Sequence, residues 1–236
     1  MYEVRDLSFS YGDRPLLDRV SFVVSPGEAV SIVGANGAGK TTLLKVLATL
    51  IPPESGMILV DGQDALARPR RYRQQLGYMP EAPALYNEMT VKGYLRYRAL
   101  LKGENERRVR RRVGEAVELC RLQSVAERSI AALSLGFRRR VALADALLLR
   151  PRVLLLDDFL AGIDRAMREE AGEIVQNVAA FASVIVTGHE IADLARWTTR
   201  FLVLSRGRIA SELTRGINES SVLVSKLDEI LKGGAA

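Results

Sequence analysis

The chain has 236 residues, which fits one or two domains, and its 48% hydrophobic and 26% charged residues are the mixture of an ordinary globular protein. This composition excludes a disordered, collagen-like or low-complexity chain, and the single cysteine, Cys120, excludes an internal disulfide framework and a cysteine-based zinc site. The formal net charge of +6 is compatible with a nucleic acid, an anionic membrane surface or a phosphate ligand as partner.

The first third of the chain alternates short β-like segments with turns and contains one predicted helix. Residues 41–50 have helical character, and the segment 52–56, which contains two prolines and a glycine, is expected to end that helix. The predicted strands of this region are residues 2–9, 20–24, 29–33, 57–60 and 76–79.

Between about residue 90 and residue 149 the sequence predicts helices and no strand. Val109, Val113, Val117 and Cys120 fall at helical spacing and form one apolar stripe. The arginines within 107–112 therefore lie mostly on the solvated face of that helix. Because no aromatic residues interleave with these charges, the pattern favours a solvated face over a nucleic-acid patch.

Strand signals return after residue 150. Residues 153–156 and 184–186 are continuous apolar runs, which suit strands buried on both faces of a parallel sheet. Residues 201–204 and 208–212 predict a closing hairpin, and a final helix is predicted over 220–231. One face of that helix carries Leu223, Leu227, Ile230 and Leu231. The sequence thus predicts an α/β sheet domain with an inserted helical subdomain.

A glycine-rich segment lies between the predicted strand 29–33 and the helix that follows it. Residues 34–42 fit the pattern G-x-x-x-x-G-K-[ST] in the strand–loop–helix setting that this pattern requires. The glycines let the backbone wrap a phosphate with its N–H groups pointing inward. Lys40 is suited to reach the β- and γ-phosphates, and Thr41 to place its hydroxyl on Mg²⁺. The segment predicts a nucleotide site rather than a plain glycine-rich turn. Its predicted binding residues are Gly34, Asn36, Gly37, Ala38, Gly39, Lys40, Thr41 and Thr42.

Two consecutive carboxylates follow the apolar run 153–156. A phosphate loop needs an acidic partner for Mg²⁺, usually at the end of a neighbouring buried strand, and Asp157 stands at such a position. Asp158 would then face the γ-phosphate and polarise the attacking water. Alone, the pair could equally cap the strand end, but beside a phosphate loop the catalytic interpretation is favoured.

Between these two elements, residues 133–144 read Leu-Ser-Leu-Gly-Phe-Arg-Arg-Arg-Val-Ala-Leu-Ala. With its flanking motifs in this order, the chain resembles the ATP-binding-cassette (ABC) ATPases over nearly its whole length. Residues 77–81, with 85–86 and 89–91, make it most similar to the separate ATPase subunits of bacterial exporters. The resemblance implies a P-loop NTPase core with a mainly parallel sheet, an N-terminal antiparallel β subdomain and a helical insert.

The resemblance also implies roles for single residues. Tyr11 matches the family's adenine-stacking aromatic, although alone it would be taken for a sheet-edge tyrosine. Ser134 and Gly136 match the signature that contacts the γ-phosphate of ATP held by a second subunit, and Asp164 matches the loop that touches that subunit. His189 matches the switch histidine at the γ-phosphate; outside this context it would be taken for a surface histidine.

The chain departs from the family pattern at three places. Glu81 stands where glutamine is usual, at a position that touches Mg²⁺ and water and senses the membrane partner. Leu135 and Phe137 replace the commoner glycine and glutamine of the signature. Asp158 occupies the position of the catalytic glutamate and is one methylene shorter, so hydrolysis is expected to be slow or to require a partner.

These motifs together predict an ATP-hydrolysing subunit that drives a separate membrane permease of an exporter through ATP-dependent pairing of two cassettes. The expected ligands are ATP and Mg²⁺, with Lys40, Asp158 and His189 as catalytic residues and Thr41, Glu81 and Asp157 as metal ligands. The nucleotide-binding domain is expected over 1–215, with a helical subdomain at about 84–149 and a short helical tail at 216–236.

Location and partners follow from the same interpretation. The sequence has no signal-peptide pattern at its start and no apolar stretch long enough to cross a bilayer, so we expect a cytoplasmic protein attached to the inner face of the cell membrane. Of 34 basic residues 28 are arginines, a skew typical of genome composition, and no nucleic-acid partner is expected. Two alternatives stay open: a soluble cassette acting on ribosomes or DNA, and a weakly hydrolysing regulatory subunit.

Overall fold

A computed structural model describes residues 1–215 together with Ser225 and Leu227. Its strands are β1 (Tyr2–Tyr11), β2 (Arg14–Val24), β3 (Ala29–Val33), β4 (Ser55–Val60), β5 (Gln63–Asp64), β6 (Leu76–Met79), β7 (Val153–Leu156), β8 (Ser183–Thr187), β9 (Arg200–Ser205) and β10 (Arg208–Thr214). Its α-helices are α1 (Lys40–Leu47), α2 (Pro69–Arg73), α3 (Val91–Leu101), α4 (Glu106–Leu119), α5 (Leu135–Leu147), α6 (Arg165–Ala179) and α7 (Ile191–Trp197).

The strands form two sheets. An antiparallel sheet has the order β2-β1-β4-β5, and a six-stranded sheet has the order β10-β9-β3-β8-β7-β6. In the second sheet only the β9–β10 hairpin is antiparallel; the other neighbours run parallel. The predicted α/β fold, with a mainly parallel sheet and an N-terminal antiparallel part, is therefore confirmed.

The parallel sheet is buried on both faces, as its continuous apolar runs predict. Leu154 and Leu156 of β7 point into a cluster shared with the helical insert and α6, whereas Val153 and Leu155 point into a cluster shared with α1 and the antiparallel sheet. This alternation follows from the two-residue period of a strand. It places the parallel strands between two packed layers of apolar side chains.

The predicted helix 41–50 is shorter in the structure, where α1 ends at Leu47. Thr49 has φ 54°, in the left-handed region, and the N–H of Leu50 donates to the carbonyl of Lys45 over 2.9 Å. The turn therefore ends the helix before the proline segment is reached. Sequence patterning also did not predict α2 and β5, because both are too short to show a period.

Helices α3, α4 and α5, which come between β6 and β7 in the chain, pack against one another. The apolar stripe of α4 faces inward, with Val109, Val113 and Cys120 all at most 4% exposed, while Arg107 and Arg110 are exposed. The solvated face predicted for the arginines of this helix therefore agrees with the structure. Burial raises the pKa of the Cys120 thiol to about 12, so this cysteine packs as an apolar side chain.

A buried carboxylate joins two helices of the insert. Asp145 of α5 accepts from Arg98 at 3.1 Å and from Lys102 at 2.8 Å, and it is 9% exposed. Burial lowers the pKa of Lys102, and the charge of Asp145 acts in the opposite direction.

We expect Asp145→Asn to lower the free energy of unfolding by about 2–4 kcal/mol, because it leaves two half-buried cations facing a neutral amide. Glu106→Gln is the matched control: it removes the exposed pair with Arg96 and is expected to cost at most about 1 kcal/mol. Urea unfolding of both variants measures the difference, and equal midpoints would contradict the assigned role of Asp145.

The described part of the chain contains no helix with the length and hydrophobicity of a membrane span. The predicted C-terminal helix over 220–231 lies outside the described residues except at Ser225 and Leu227, which are both helical. Leu227 is fully buried in the cluster that includes the helical insert and α6.

Candidate functional site

The residues singled out in the sequence meet at one edge of the parallel sheet. The phosphate loop follows β3, Glu81 follows β6, Asp157 follows β7 and His189 follows β8. Because these four strands run parallel and are neighbours in the order β3-β8-β7-β6, their carboxyl ends lie side by side. Ligands of open parallel sheets bind outside this edge.

The backbone of the phosphate loop depends on glycine at two points. Gly39, which precedes the first residue of α1, has φ 102°, a conformation that other residues rarely adopt. A Cβ on Gly34 would lie 2.3 Å from the carbonyl oxygen of Leu204 on β9, so the loop passes too close to that strand for any side chain. Gly34, Asn36, Gly37, Ala38 and Gly39 therefore form a tight turn into a helix N-terminus, the arrangement that binds phosphate.

Lys40 lies under this turn. Its ammonium group donates to the carbonyl oxygens of Gly34 at 2.7 Å and Ala35 at 3.1 Å. Burial lowers the pKa of Lys40, while the charges of Asp158 and Asp157 act in the opposite direction. The loop thus holds a cation at the point where the anionic phosphates would lie.

Asp157 is the buried acid of the site, with 1% of its surface exposed. Its Oδ1 accepts hydrogen bonds from the hydroxyls of Thr41 at 3.1 Å and Thr187 at 2.8 Å. Its Oδ2 is buried and has no hydrogen-bond partner among the described residues. Burial raises the pKa of Asp157, and the charges of Glu81 and Asp158 add to this effect, while the two hydroxyls oppose it.

The oxygen atoms of Thr41 and Asp157 are suitable ligands for a magnesium ion. Mg²⁺ prefers oxygen ligands and is usually held by one or two carboxylates and by substrate phosphates. Thr41 and Asp157 supply a hydroxyl and a carboxylate within hydrogen-bond distance of each other, and Oδ2 of Asp157 lacks the partner that a buried carboxylate needs. The described residues contain no cluster of three or more His, Cys, Asp and Glu suited to a metal held by protein groups alone.

Asp158 and His189 lie on the same side of the site. Asp158 has φ 42°, in the left-handed region, and its N–H donates to Thr187 Oγ1 at 3.1 Å. Its Oδ2 lies 3.9 Å from Nε2 of His189, which is too long for a hydrogen bond but leaves both groups facing the same space. The His189 side chain is 52% exposed.

The signature residues lie at the start of α5. Ser134 caps this helix, and its hydroxyl accepts from the N–H of Phe137 at 3.5 Å. A Cβ on Gly136 would lie 1.8 Å from the sulfur of Met167 on α6, so this position requires glycine. Asp164 caps α6 by accepting from the N–H of Met167 at 2.9 Å. Ser134 and Asp164 are exposed, whereas Gly136 is buried against Met167, and among the described residues no hydrogen bond joins these three residues to the phosphate loop.

Tyr11 ends β1 beside the turn into β2. It is 53% exposed and contacts Phe9 edge-on, with 4.8 Å between ring centroids. The start of β2, the phosphate loop and the β9–β10 turn line a cavity of about 700 Å³ that includes Arg14 and Asn36. The exposure of this ring is compatible with stacking on a base, which stays a prediction.

Three residues that sequence analysis did not single out also belong to this site. Thr187 bonds both Asp157 and the backbone of Asp158, and its position at the end of β8 could have indicated it. Burial raises the pKa of Tyr78 to about 12, and the charge of Asp157 adds to the effect. Arg139 of α5 donates to the carbonyl oxygen of Glu81. Burial lowers the pKa of Arg139, and the charges of Asp158 and Glu81 act in the opposite direction.

A phosphate loop, a strand-end aspartate pair and a histidine at the carboxyl edge of a parallel sheet define a P-loop nucleotide-binding protein. The family model described as ABC transporter matches residues 17–161. The ABC transporter ATP-binding protein YxlF of Bacillus subtilis (strain 168) is 32% identical over 210 residues, which are 89% of this chain and 70% of that protein. The chain therefore belongs to the ABC transporter family, as one of its ATP-binding subunits.

Two other relatives are named for transport in opposite directions, one for export and one for import. The Nod factor export ATP-binding protein I of Sinorhizobium fredii is 32% identical, over 87% of this chain and 60% of that protein. The sulfate/thiosulfate import ATP-binding protein CysA of Bradyrhizobium diazoefficiens is 36% identical, over 88% of this chain and 62% of that protein. The chain thus spans less than two thirds of the length of these two relatives.

A solved structure of an ATP-binding subunit of an ABC transporter has the same fold. It superposes with a TM-score of 0.85 at 30% identity, and the match covers 100% of both chains.

Proposed function

We propose that this chain binds and hydrolyses magnesium–ATP and drives a membrane permease of an exporter as two cassettes close and part. The observation that carries the proposal is the pairing of Thr41 with Asp157, whose second carboxylate oxygen has no partner among the described residues, beside the cation of Lys40. Exporter function is supported by the segment 77–81; the named relatives include both an export and an import subunit and favour neither direction.

Each residue of the site has a distinct task in this proposal. The N–H groups of the phosphate loop and Lys40 hold the β- and γ-phosphates, and Tyr11 stacks on the adenine. Thr41 and Asp157, with Glu81 close by, would hold Mg²⁺, which would supply positive charge to offset that of the phosphates. Asp158 orients the attacking water and accepts its proton. His189 hydrogen-bonds the γ-phosphate and is the group that senses its loss.

A second cassette, either another copy of this chain or a related subunit, completes the site. Ser134 and Gly136 present a capped helix start that is separate from the phosphate loop of the same chain. We propose that this surface closes on the γ-phosphate of ATP bound to a second cassette, with Asp164 touching that cassette. ATP then joins the two chains, and hydrolysis removes the contact that favours the closed state.

The permease is proposed to dock between the end of β6 and the start of α5. Residues 81–85 with Leu135 and Arg138 line a cavity of about 530 Å³ there. Nearby, Tyr86 and Tyr97 are 45% and 40% exposed, with ring centroids 5.7 Å apart, and they form an apolar surface on the insert. Docking here would place the chain on the cytoplasmic face of the membrane, with 1–215 as the cassette, 84–149 as its helical subdomain and 216–236 as a tail.

Asp158 favours one alternative, a regulatory subunit with little turnover. An aspartate at this position keeps the charge but holds it farther from the phosphates than a glutamate would, and a displacement of about 1 Å at a reacting centre can lower a rate about 100-fold. We propose slow but real hydrolysis. Phosphate release no faster than that of a variant lacking the Lys40 ammonium would support the regulatory alternative.

The purified chain is expected to bind ATP with a saturable, Mg²⁺-dependent isotherm and to release phosphate, and both are expected to disappear in excess EDTA. Calorimetry and a phosphate-release assay measure the two effects. Binding that is unchanged by EDTA would contradict the role given to Thr41 and Asp157. Association with cell membranes that survives nuclease treatment supports the transport role, and its complete loss would support an alternative that acts on nucleic acid.

A further inference from the structure

Arg168 of α6 joins two loops of the site. Its Nε donates to the carbonyl oxygen of Ile163 at 3.0 Å. Its Nη1 lies 3.1 Å from Oε1 of Glu190 and 3.2 Å from Oδ2 of Asp193. Ile163 directly precedes Asp164, and Glu190 directly follows His189. One guanidinium therefore connects the loop proposed to touch the second cassette with the loop that carries the switch histidine.

The setting of Arg168 favours a fixed geometry over a loose surface pair. Its side chain is 22% exposed, and that of Asp193 is 18% exposed. Three acceptors, the carbonyl of Ile163, Glu190 at the start of α7 and Asp193 within α7, surround a planar group with donors in fixed directions, which orders the loop 161–164 relative to the start of α7. Exposed ion pairs, by contrast, contribute little order or stability.

The loop on one side of Arg168 also contacts the signature. A Cβ on Gly162 would lie 2.9 Å from a methyl carbon of Leu135, and Gly162 has φ 72°. The segment 161–164 is thus packed between α5 and Arg168. A change in its position would be transmitted to Glu190 through the same guanidinium.

We propose that Arg168 is a positioning residue that couples His189 to the loop 161–164, so that the γ-phosphate contact in one site and the contact with the second cassette change together. This inference rests on the proposed ATP hydrolysis for its catalytic consequence. Its structural core, that Arg168 fixes the environment of His189, stands without it.

A direct test uses the fact that His189 is the only histidine of the chain. The protein is made with histidine ¹³C-labelled at one imidazole carbon and with a tag that contains no histidine. Its imidazole NMR signal then comes from His189 alone. We expect Arg168→Ala to shift or broaden this signal and Arg168→Lys to have a smaller effect, because lysine keeps the charge but not the fork of donors.

Arg196→Ala is the matched control. Arg196 of α7 also forms an ion pair with α6, through Glu169 at 3.0 Å, but its side-chain pair involves neither the loop 161–164 nor Glu190 and Asp193. We expect this variant to leave the imidazole signal in place. An unchanged signal in Arg168→Ala, or equal shifts in the two alanine variants, would overturn the inference.

The catalytic consequence is a separate measurement. Arg168→Ala is expected to lower kcat for ATP roughly 10-fold while KM changes less than about twofold, since the nucleotide contacts remain and only the alignment is lost. Arg196→Ala is expected to keep the parent values. If the parent chain does not hydrolyse ATP, the proposed function is contradicted, and the NMR result still decides the role of Arg168. If the parent hydrolyses ATP and the two alanine variants have the same kcat, only the coupling by Arg168 is overturned. If Arg168→Ala does not fold, Arg168→Lys supplies both readouts.

Discussion

Lys40→Ala is expected to weaken Mg·ATP binding roughly 10- to 150-fold and to reduce phosphate release to background. The lost group is a charge-assisted donor to phosphate, and such hydrogen bonds contribute about 1.5–3 kcal/mol each. The ammonium donates to the carbonyl oxygens of Gly34 and Ala35. The loop therefore holds the cation in a fixed position, which lowers the ordering cost of phosphate binding.

Lys45→Ala is the matched control for this experiment. Lys45 lies in the last turn of the same helix, α1, away from the phosphate loop at the other end. We expect this variant to bind and hydrolyse ATP like the parent. Calorimetric titration with Mg·ATP measures both variants, and equal affinities for the two would contradict the assignment of Lys40. Thermal unfolding of both checks that the fold is kept.

Asp158→Asn is expected to lower kcat by about 100- to 10,000-fold with little change in ATP affinity, because it removes the proton acceptor and keeps the shape of the side chain. Asparagine tolerates the left-handed backbone of this position, where φ is 42°. The loss of rate can therefore be assigned to the charge and not to the backbone. ATP-dependent pairing of two chains should then persist, and size-exclusion chromatography with ATP measures it.

Two further variants complete this test. Asp61→Asn is the control, since Asp61 also has a positive φ, 48°, but lies in the turn after β4, where it pairs with the chain's amino group and with Arg152. Asp158→Glu is expected to raise the rate of a slow parent by up to about 100-fold by placing the carboxylate nearer the reacting phosphate. Hydrolysis by Asp158→Asn at the rate of Asp61→Asn would refute the role of Asp158.

Much of the site could be predicted from short stretches of sequence. The phosphate loop and the pair Asp157-Asp158 are contiguous motifs that follow apolar runs, so their chemistry and their strand-end positions are both visible in the sequence. The stripe of α4 was predicted correctly because its period spans three turns. Short elements such as α2, and the exact end of α1 at Leu47 before the turn at Thr49, are set by single turns and were not predicted.

The family resemblance identified four further candidate residues but could not place them relative to one another. These residues are Ser134, Gly136, Asp164 and His189. The structure brings Gly136 against Met167 beside the Asp164 cap, and His189 beside Asp158. These neighbours depend on how α5 packs on α6 and on the sheet order, which no local pattern encodes.

The sequence by itself determined that this chain holds a phosphate loop, a strand-end carboxylate that we propose binds a metal, and a helical insert, since each depends on residues close together in the chain. Only the tertiary structure decided that Thr187 bonds Asp157, that Arg139 reaches Glu81 and that Arg168 joins two loops. These contacts connect residues brought together by the position of β8 between β3 and β7 and by helix packing. The physical reason is that such partners are selected by burial and geometry across the whole fold.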